Sequence, residues 1–131
     1  MEIVKVLVAA AGSWLFGAAW YMALAKPWIA AANIPTGADG RPLNAKNPTP
    51  YLLSALCMIL VAGLMCVVFS RAAIETVSDG AMGGFAIGAL FISPWIMINN
   101  AYAMRPFRLT LIDGGYATIG CTIIGVILTL F

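Results

Sequence analysis

The stretch "YLLSALCMILVAGLMCVVFS", residues 51–70, carries no charged side chain. A helix of about 20 predominantly apolar residues is long enough to cross a hydrocarbon core about 30 Å thick. Three further apolar runs of similar length occupy about 4–25, 81–103 and 107–131. In lipid every backbone polar group has to be hydrogen-bonded within the protein, and helices meet this requirement. The sequence therefore predicts an all-α fold, an integral membrane four-helix bundle that forms a single transmembrane domain over residues 1–131.

The composition of the chain supports the same class. Hydrophobic residues make up 63% and charged residues 9% of the sequence, whereas soluble domains are about half apolar and about a quarter charged. A small soluble domain leaves much of its surface in water and could not bury so much apolar side chain. The lipid bilayer is therefore the expected partner. The net charge of +2 is small and scattered along the chain, which argues against nucleic acid as a partner.

Residues that commonly carry chemistry are scarce. The sequence has no histidine, and its cysteines (Cys57, Cys66 and Cys121) lie inside apolar runs without the spacing of a metal site. We therefore expect neither a metal nor a cofactor. No serine or cysteine stands beside an identifiable base, and Asp113 has no second carboxylate with which to form a catalytic pair. These features favour a protein that is not an enzyme.

Basic residues predict the orientation of the spans. Five of them lie in the two loops on one side, and two lie on the other. The first group is Lys26, Arg41, Lys46, Arg105 and Arg108, and the second is Lys5 and Arg71. Because cytoplasmic loops are enriched in Lys and Arg, we expect a multi-pass protein of the cell (inner) membrane with both termini outside.

Local signals predict where the spans begin and bend. Thr49-Pro50 predicts an N-cap followed by proline at the first helical position, and Pro94 predicts a kink in the middle of the third span. The short loop at 71–80 predicts that the second and third spans are antiparallel neighbours. The first apolar run is longer than the core of a signal peptide, which has about 7–15 residues, so we expect this run to be retained as a helix.

Small residues predict the faces on which the helices pack, because helices in lipid associate through close contact. Gly80, Gly84 and Gly88 form two consecutive GxxxG steps in the third span. The other predicted packing positions are Gly17 in the first span, on a face with Ser13, and Gly114 and Gly115 in the fourth. Such faces suit a tight bundle and also pairing between protomers, so a homo-oligomer is expected.

Asp113 indicates a candidate site, because a charged side chain at the centre of a membrane helix costs about 2.5–3.5 kcal/mol. We expect its carboxylate to point into the bundle, towards a layer of polar side chains at similar depth. At about 1.5 Å per residue, this layer lies roughly 6–14 Å inside the cytoplasmic boundary. Its predicted members are Asp113, Tyr116, Asn99, Asn100, Trp20 and Tyr21, with Ser54 at the same level and Arg105 or Arg108 as further partners of the carboxylate.

Three interpretations of this layer stay open. It could be a polar clasp that fixes helix packing, it could line the cytoplasmic end of a ligand or ion pathway in which Asp113 exchanges protons, or it could anchor a lipid headgroup or a partner subunit. The leading hypothesis is a non-enzymatic protein whose layer binds or conducts a small solute, ion or lipid. The alternative is a structural or accessory subunit that docks on a partner membrane protein within a larger complex.

Three segments, "FGAAWYMALAKPW" (16–28), "NPTPYLLSAL" (47–56) and "MRPFRLTLIDGGYATIGCTIIGVILTL" (104–130), resemble the DUF1761 family of small bacterial membrane proteins. The resemblance implies four spans and no assigned activity, so it supports the fold and adds nothing on function. In related sequences a histidine commonly follows the tyrosine, and this chain has Ala117 there. An Asp–His pair is therefore absent, which favours packing or binding over a proton relay.

Overall fold

The computed structural model describes residues 2–131, and most of these residues are helical. The elements are α1 (Glu2–Ala23), α2 (Ala25–Ala32), α3 (Thr49–Arg71), α4 (Val77–Ala86), a π-helical segment (Ile87–Ile92), α5 (Ser93–Tyr102) and α6 (Phe107–Leu130). The segments from α4 to α5 are continuous and form one span, Val77–Tyr102. Together with α1, α3 and α6 this gives four helices long and apolar enough to cross a membrane. The predicted all-α membrane architecture is confirmed.

Helix α6 lies at the centre of the bundle. The span from α4 to α5 packs along one side of it, α1 packs along the other, and α3 packs chiefly on α1. Burial follows this arrangement, because nine residues of α6 are buried, against four each in α1 and α3. The helix that carries Asp113 is thus the one with most protein around it.

Helix α3 is attached to the bundle mainly by its second half. Its first buried residue is Ala62, which belongs to the core cluster that contains Ala9 and Ala10 of α1. No Cα atom of α3 lies within 8 Å of a Cα atom of α5 or of the π-helical segment, all of which are described. The prediction that the second and third spans are neighbours therefore holds only where they join, beside Phe69 and Gly83. Along the rest of its length α3 is held by α1, because the small-residue face of α4 is turned towards α6.

The third span contacts α6 backbone against backbone, through Gly84 in α4 and Gly88 in the π-helical segment. A Cβ atom at Gly84 would overlap the carbonyl group of Cys121, and one at Gly88 would overlap that of Ala117. Close approach of this kind requires glycine, because any Cβ atom would overlap the facing backbone. The close approach itself is favourable, because helices in lipid gain stability from packing at short range. The other predicted packing glycines also have neighbours within the protomer: Gly80 faces Gly125 and Thr129, Gly17 faces Tyr116, Gly114 faces Ser93 and Gly115 faces Trp20.

The third span widens into a π-helix one turn before Pro94. The Ser93 N–H donates to the carbonyl of Gly88, five residues earlier, and the Ser93 hydroxyl donates to the same carbonyl at 2.7 Å. Proline has no N–H to donate and crowds the preceding turn, and π-helical turns are a known accommodation inside longer helices. The irregularity predicted at Pro94 therefore takes the form of a π-helical segment on its N-terminal side.

The start of α3 differs by one position from the prediction. Thr49 is already helical and Pro50 follows it inside the first turn, with Pro48 at the N-cap. The Asn47 side chain supplies the missing acceptor, because its Oδ1 receives a hydrogen bond from the Thr49 N–H at 3.1 Å. Asparagine does this readily because its short side chain reaches the backbone two residues later.

Candidate functional site

A cavity of about 760 Å³ lies between the four spans. It borders α6 from Asp113 to Ile124, a length of about 16 Å for a helix that rises about 1.5 Å per residue. Its opposite wall is the first half of α3, from Pro50 to Val61. The cavity exists because this half of α3 stands away from α5. It contacts α6 through Met58, whose sulfur lies 3.6 Å from the Tyr116 hydroxyl.

Asp113 borders the cavity and is joined to α1 by one hydrogen bond. Helices α1 and α6 run antiparallel, which places Tyr21 in the last turns of α1 beside Asp113 in the second turn of α6. The Tyr21 hydroxyl donates to Oδ1 of Asp113 at 2.6 Å, and both residues are partly buried. Short distances of this kind are typical of hydrogen bonds to an ionised acceptor.

No basic side chain is paired with this carboxylate in the part of the chain that the structure describes. The one salt bridge within residues 2–131 joins Lys5 to Glu2 at 2.9 Å, near the opposite end of α1. The predicted partner Arg105 donates to the carbonyl of Ala32, and Arg108 is exposed. The Asp113 carboxyl group therefore has no internal counter-ion among the described residues.

Aromatic rings surround this end of the cavity. The Tyr21 ring meets the ring of Trp28 edge to face, with centroids 5.5 Å apart, and it meets the ring of Tyr116 in the same way at 5.6 Å. Such edge-to-face pairs are the favoured geometry of aromatic contacts. Because Tyr116 lies one turn after Asp113 on the same face of α6, the carboxylate and the three rings form one group at the end of the cavity.

Two hydroxyl groups lie deeper in the cavity. The hydroxyl of Tyr116 donates to the Ser13 carbonyl at 3.2 Å and lies above Gly17, where a Cβ atom would be only 2.7 Å away. The hydroxyl of Ser13 is fully buried, borders the cavity, and has no hydrogen-bond partner within residues 2–131. A buried polar group without a partner is unfavourable. Because Ser13 has no exposed surface, a molecule in the cavity could bond to its hydroxyl only after the neighbouring side chains move. The sequence placed Ser13 on the face of Gly17 without assigning it to the site.

The wall formed by α3 is linked to α1 by a pair of side chains that the sequence pattern did not bring together. The indole N–H of Trp14 donates to Oγ of Ser54 at 2.9 Å, and the Ser54 hydroxyl donates to the carbonyl of Tyr51 at 2.9 Å. All three residues border the cavity. Trp14 lies two turns deeper than Tyr21, so an assignment by depth alone did not single it out.

Two predicted members of the polar layer lie elsewhere. Asn99 is exposed on α5, and neither Asn99 nor Asn100 borders the cavity. Instead, Asn100 donates to Oγ1 of Thr110 at 3.1 Å and ties α5 to α6. The predicted position of Asn99 depended on counting α-helical turns from Gly88. Gly88 lies inside the π-helical segment, and one extra residue in a turn rotates the rest of the helix by about 100°.

Trp20 also faces away from the cavity. Its indole N–H donates to the carbonyl of Ile112 at 2.9 Å, and its ring covers Gly115. The adjacent residues Trp20 and Tyr21 therefore contact α6 on two sides, the first at its backbone and the second at the Asp113 carboxylate. Of the six predicted layer residues, the structure brings Tyr21, Asp113 and Tyr116 together at the cavity.

A family model described as "Protein of unknown function (DUF1761)" matches residues 4–129, which include every residue of the cavity. The chain belongs to the DUF1761 family. The match covers nearly the whole chain, so the resemblance drawn from the sequence is confirmed. No curated protein and no solved structure matches it. In this DUF1761 member Ala117, one turn after Asp113, also borders the cavity.

Proposed function

We propose that this chain is a non-enzymatic multi-pass membrane protein that binds a small solute in the cavity beside Asp113. The observation that carries the proposal is a partly buried carboxylate that borders a cavity of about 760 Å³ and has no paired basic side chain within residues 2–131. Ligand cavities usually have volumes of about 300–1,000 Å³, are mostly apolar and contain few polar groups. Ionisable residues inside membrane spans commonly mark substrate or ion pathways.

A purely structural clasp accounts less well for Asp113. An ionised carboxylate offers about four lone-pair sites, and the side chains within residues 2–131 supply it with one donor, the Tyr21 hydroxyl. Other polar pairs also clasp the helices, outside the cavity in the case of Trp20 on Ile112 and at its wall in the case of Trp14 on Ser54. In each of these pairs the donor meets a protein acceptor, whereas Asp113 keeps acceptor capacity that no further side chain uses. Because Asp113 borders the cavity, this capacity is available to a solute that enters it.

The proposed site lies towards the cytoplasm. The basic loops at 26–50 and 104–108 flank the end of the bundle that holds Asp113, and the positive-inside rule assigns this end to the cytoplasmic side of the cell (inner) membrane, with both termini outside. A reporter that works only outside the cytoplasm should be active when it is fused after Phe131. Activity of a cytoplasmic reporter at that position would reverse the orientation.

The experiment for the binding function is a thermal-stability screen of the purified protein in lipid nanodiscs, with amines, carboxylic acids, alcohols and sugars as separate solute classes. A ligand that binds the folded state raises the unfolding temperature by mass action. We expect at least one class to do so, and the shift should vanish in Asp113→Asn. Asp39→Asn is the matched control, because Asp39 lies in the exposed loop and only accepts a bond from the Arg41 N–H. The proposal fails if no class stabilises the protein, or if Asp113→Asn keeps the shift.

An accessory role is the second proposal, and the gap between α3 and α5 favours it. A helix of a second copy or of a partner membrane protein could occupy this gap, giving a homo-oligomer or a larger complex. The predicted glycine faces do not support such docking further, because each of them is filled by a neighbour within the protomer. Purification in several mild detergents should then recover a stoichiometric partner or a defined oligomer. Recovery of monomeric protein in all of them would oppose this role.

A further inference from the structure

We propose that the solute is a lipophilic organic cation, with a single positive charge beside Asp113 and an apolar body in the deeper cavity. This inference rests on the proposed binding function and adds the chemical class of the ligand. Its support comes from the charge of the cavity, from its aromatic and apolar walls, and from the way in which it opens towards the bilayer.

The one acidic side chain that borders the cavity would give it a negative charge on ionisation. Asp113 borders it, whereas no lysine or arginine does, and all the bordering residues lie in the described part of the chain. In surroundings of low dielectric constant an unscreened charge acts strongly on a nearby ligand. A monocation would supply the counter-ion that Asp113 lacks, whereas an anion or the phosphate of a phospholipid would find no basic partner there.

The aromatic group strengthens the preference for a cation. The rings of Tyr21, Trp28 and Tyr116 border the cavity next to Asp113, with centroids 5.5 and 5.6 Å from one another in the two contacting pairs. A cation over an aromatic face within about 6 Å of the ring centroid is attracted by the ring quadrupole. Aromatic rings also tolerate a bulky, weakly hydrated cation better than a small hydrated metal ion, which needs several oxygen ligands.

The deeper end of the cavity suits an apolar body. Beyond the aromatic group its walls are formed largely by aliphatic and thioether side chains, among them Met58, Val61, Ile92 and Ile124. The Ser13 hydroxyl is the unpartnered polar atom in this part, and it is covered by protein, so it adds no exposed polar surface to these walls. A ligand with its charge at one end and hydrocarbon at the other would match the arrangement along the cavity.

The opening of the cavity suits a ligand that partitions into lipid. The first half of α3 has no buried residue before Ala62 and stands more than 8 Å, Cα to Cα, from α5 and from the π-helical segment. In a membrane this gap faces the bilayer. A lipophilic cation could therefore enter between α3 and α5 from the interface, without passing the loop at 33–48.

The test uses two probes of nearly the same shape and opposite charge, tetraphenylphosphonium and tetraphenylborate, with binding measured in nanodiscs and corrected with empty nanodiscs. We expect saturable binding of tetraphenylphosphonium and no saturable binding of tetraphenylborate. In Asp113→Asn the affinity for tetraphenylphosphonium should fall by about ten-fold or more, equivalent to about 1.4 kcal/mol. Asp39→Asn should bind like the wild type. Equal binding of both ions, or an unchanged affinity in Asp113→Asn, overturns the inference.

Two further measurements place the probe and separate the two proposals. Ala18 borders the cavity and Ala19 does not, although both are exposed on α1, so Ala18→Trp should block binding and Ala19→Trp should not. Equal effects of the two variants would contradict binding in this cavity.

Triphenylphosphine oxide is a neutral probe of similar size. If it binds in the cavity and tetraphenylphosphonium does not, the ligand class is wrong while the binding function stands, and if neither binds while the solute screen is also negative, both fail.

Discussion

The hydroxyl of Tyr21 donates a 2.6 Å hydrogen bond to Oδ1 of Asp113 and so joins the last turns of α1 to the second turn of α6. The Tyr21 hydroxyl is the one side-chain donor that residues 2–131 provide for the carboxylate. It engages one oxygen of Asp113, a residue that borders the cavity, and the rest of the carboxylate's acceptor capacity has no side-chain donor within residues 2–131. The same contact therefore contributes both to helix packing and to the orientation of the candidate site.

Replacing Tyr21 tests how much this hydrogen bond contributes to the stability of the fold. We expect Tyr21→Phe to lower the free energy of unfolding by about 1–3 kcal/mol, because a partly buried acceptor loses its donor. Tyr51→Phe is the control, since its hydroxyl donates to the Ala45 carbonyl at an exposed position, where the loss should be smaller. Titration of unfolding with sodium dodecyl sulfate in mixed micelles measures both. A Tyr21→Phe variant as stable as the wild type would show that the bond is dispensable for the fold.

The close contact between the π-helical segment and α6 predicts a position-dependent effect of adding a single methyl group. Gly88→Ala would drive a Cβ atom into the backbone at Ala117, and overpacking of this kind typically costs about 1–3 kcal/mol. Gly63→Ala in α3 meets nothing closer than Val6 at 4.0 Å, so it should be neutral or stabilising by up to about 1 kcal/mol, as expected for alanine in place of a helical glycine. Unfolding in mixed micelles again provides the measurement. Equal effects of the two substitutions would contradict the backbone contact.

The π-helical segment predicts a role for Ser93. Its hydroxyl donates to the Gly88 carbonyl at 2.7 Å and lies 3.1 Å from the Gly114 carbonyl on α6. Ser93→Ala removes these bonds, so we expect a loss of about 0.5–1.5 kcal/mol in stability. Ser78→Ala, at an exposed position in the first turn of α4, is the control and should be near neutral. Hydrogen exchange should show the loss as faster exchange over residues 87–93, and unchanged exchange there would argue against this role.

The four spans and part of the candidate site could be predicted from the sequence. A run such as residues 51–70 has one stable environment, which is lipid, and the depth of Asp113 and Tyr21 can be counted from the ends of their helices. The predicted direction of the Asn99 side chain was wrong, because the π-helical segment adds a residue to the turn. Apart from Pro94, no local sequence pattern indicates this segment. The cavity could not be predicted at all. It depends on the distance between α3 and α5. The sequence of either helix by itself does not indicate how far apart the two helices lie.

Ser13 provides a test that separates a structural from a binding role. Its hydroxyl is fully buried, borders the cavity and has no partner within residues 2–131. A buried polar group left without a partner costs about 1–3 kcal/mol, so Ser13→Ala should leave the stability of the ligand-free protein unchanged or raise it by about 1 kcal/mol.

Binding should respond in the opposite direction, with weaker affinity for a solute that bonds to Ser13. Ser54→Ala is the matched control, because it removes the acceptor of the Trp14 indole and the donor to the Tyr51 carbonyl, and it should destabilise the protein. Unfolding in mixed micelles and the thermal shift in nanodiscs measure the two properties on the same variants. If Ser13→Ala destabilises the protein as much as Ser54→Ala does, then Ser13 serves the fold, and its unpartnered hydroxyl gives no support to a ligand in the cavity.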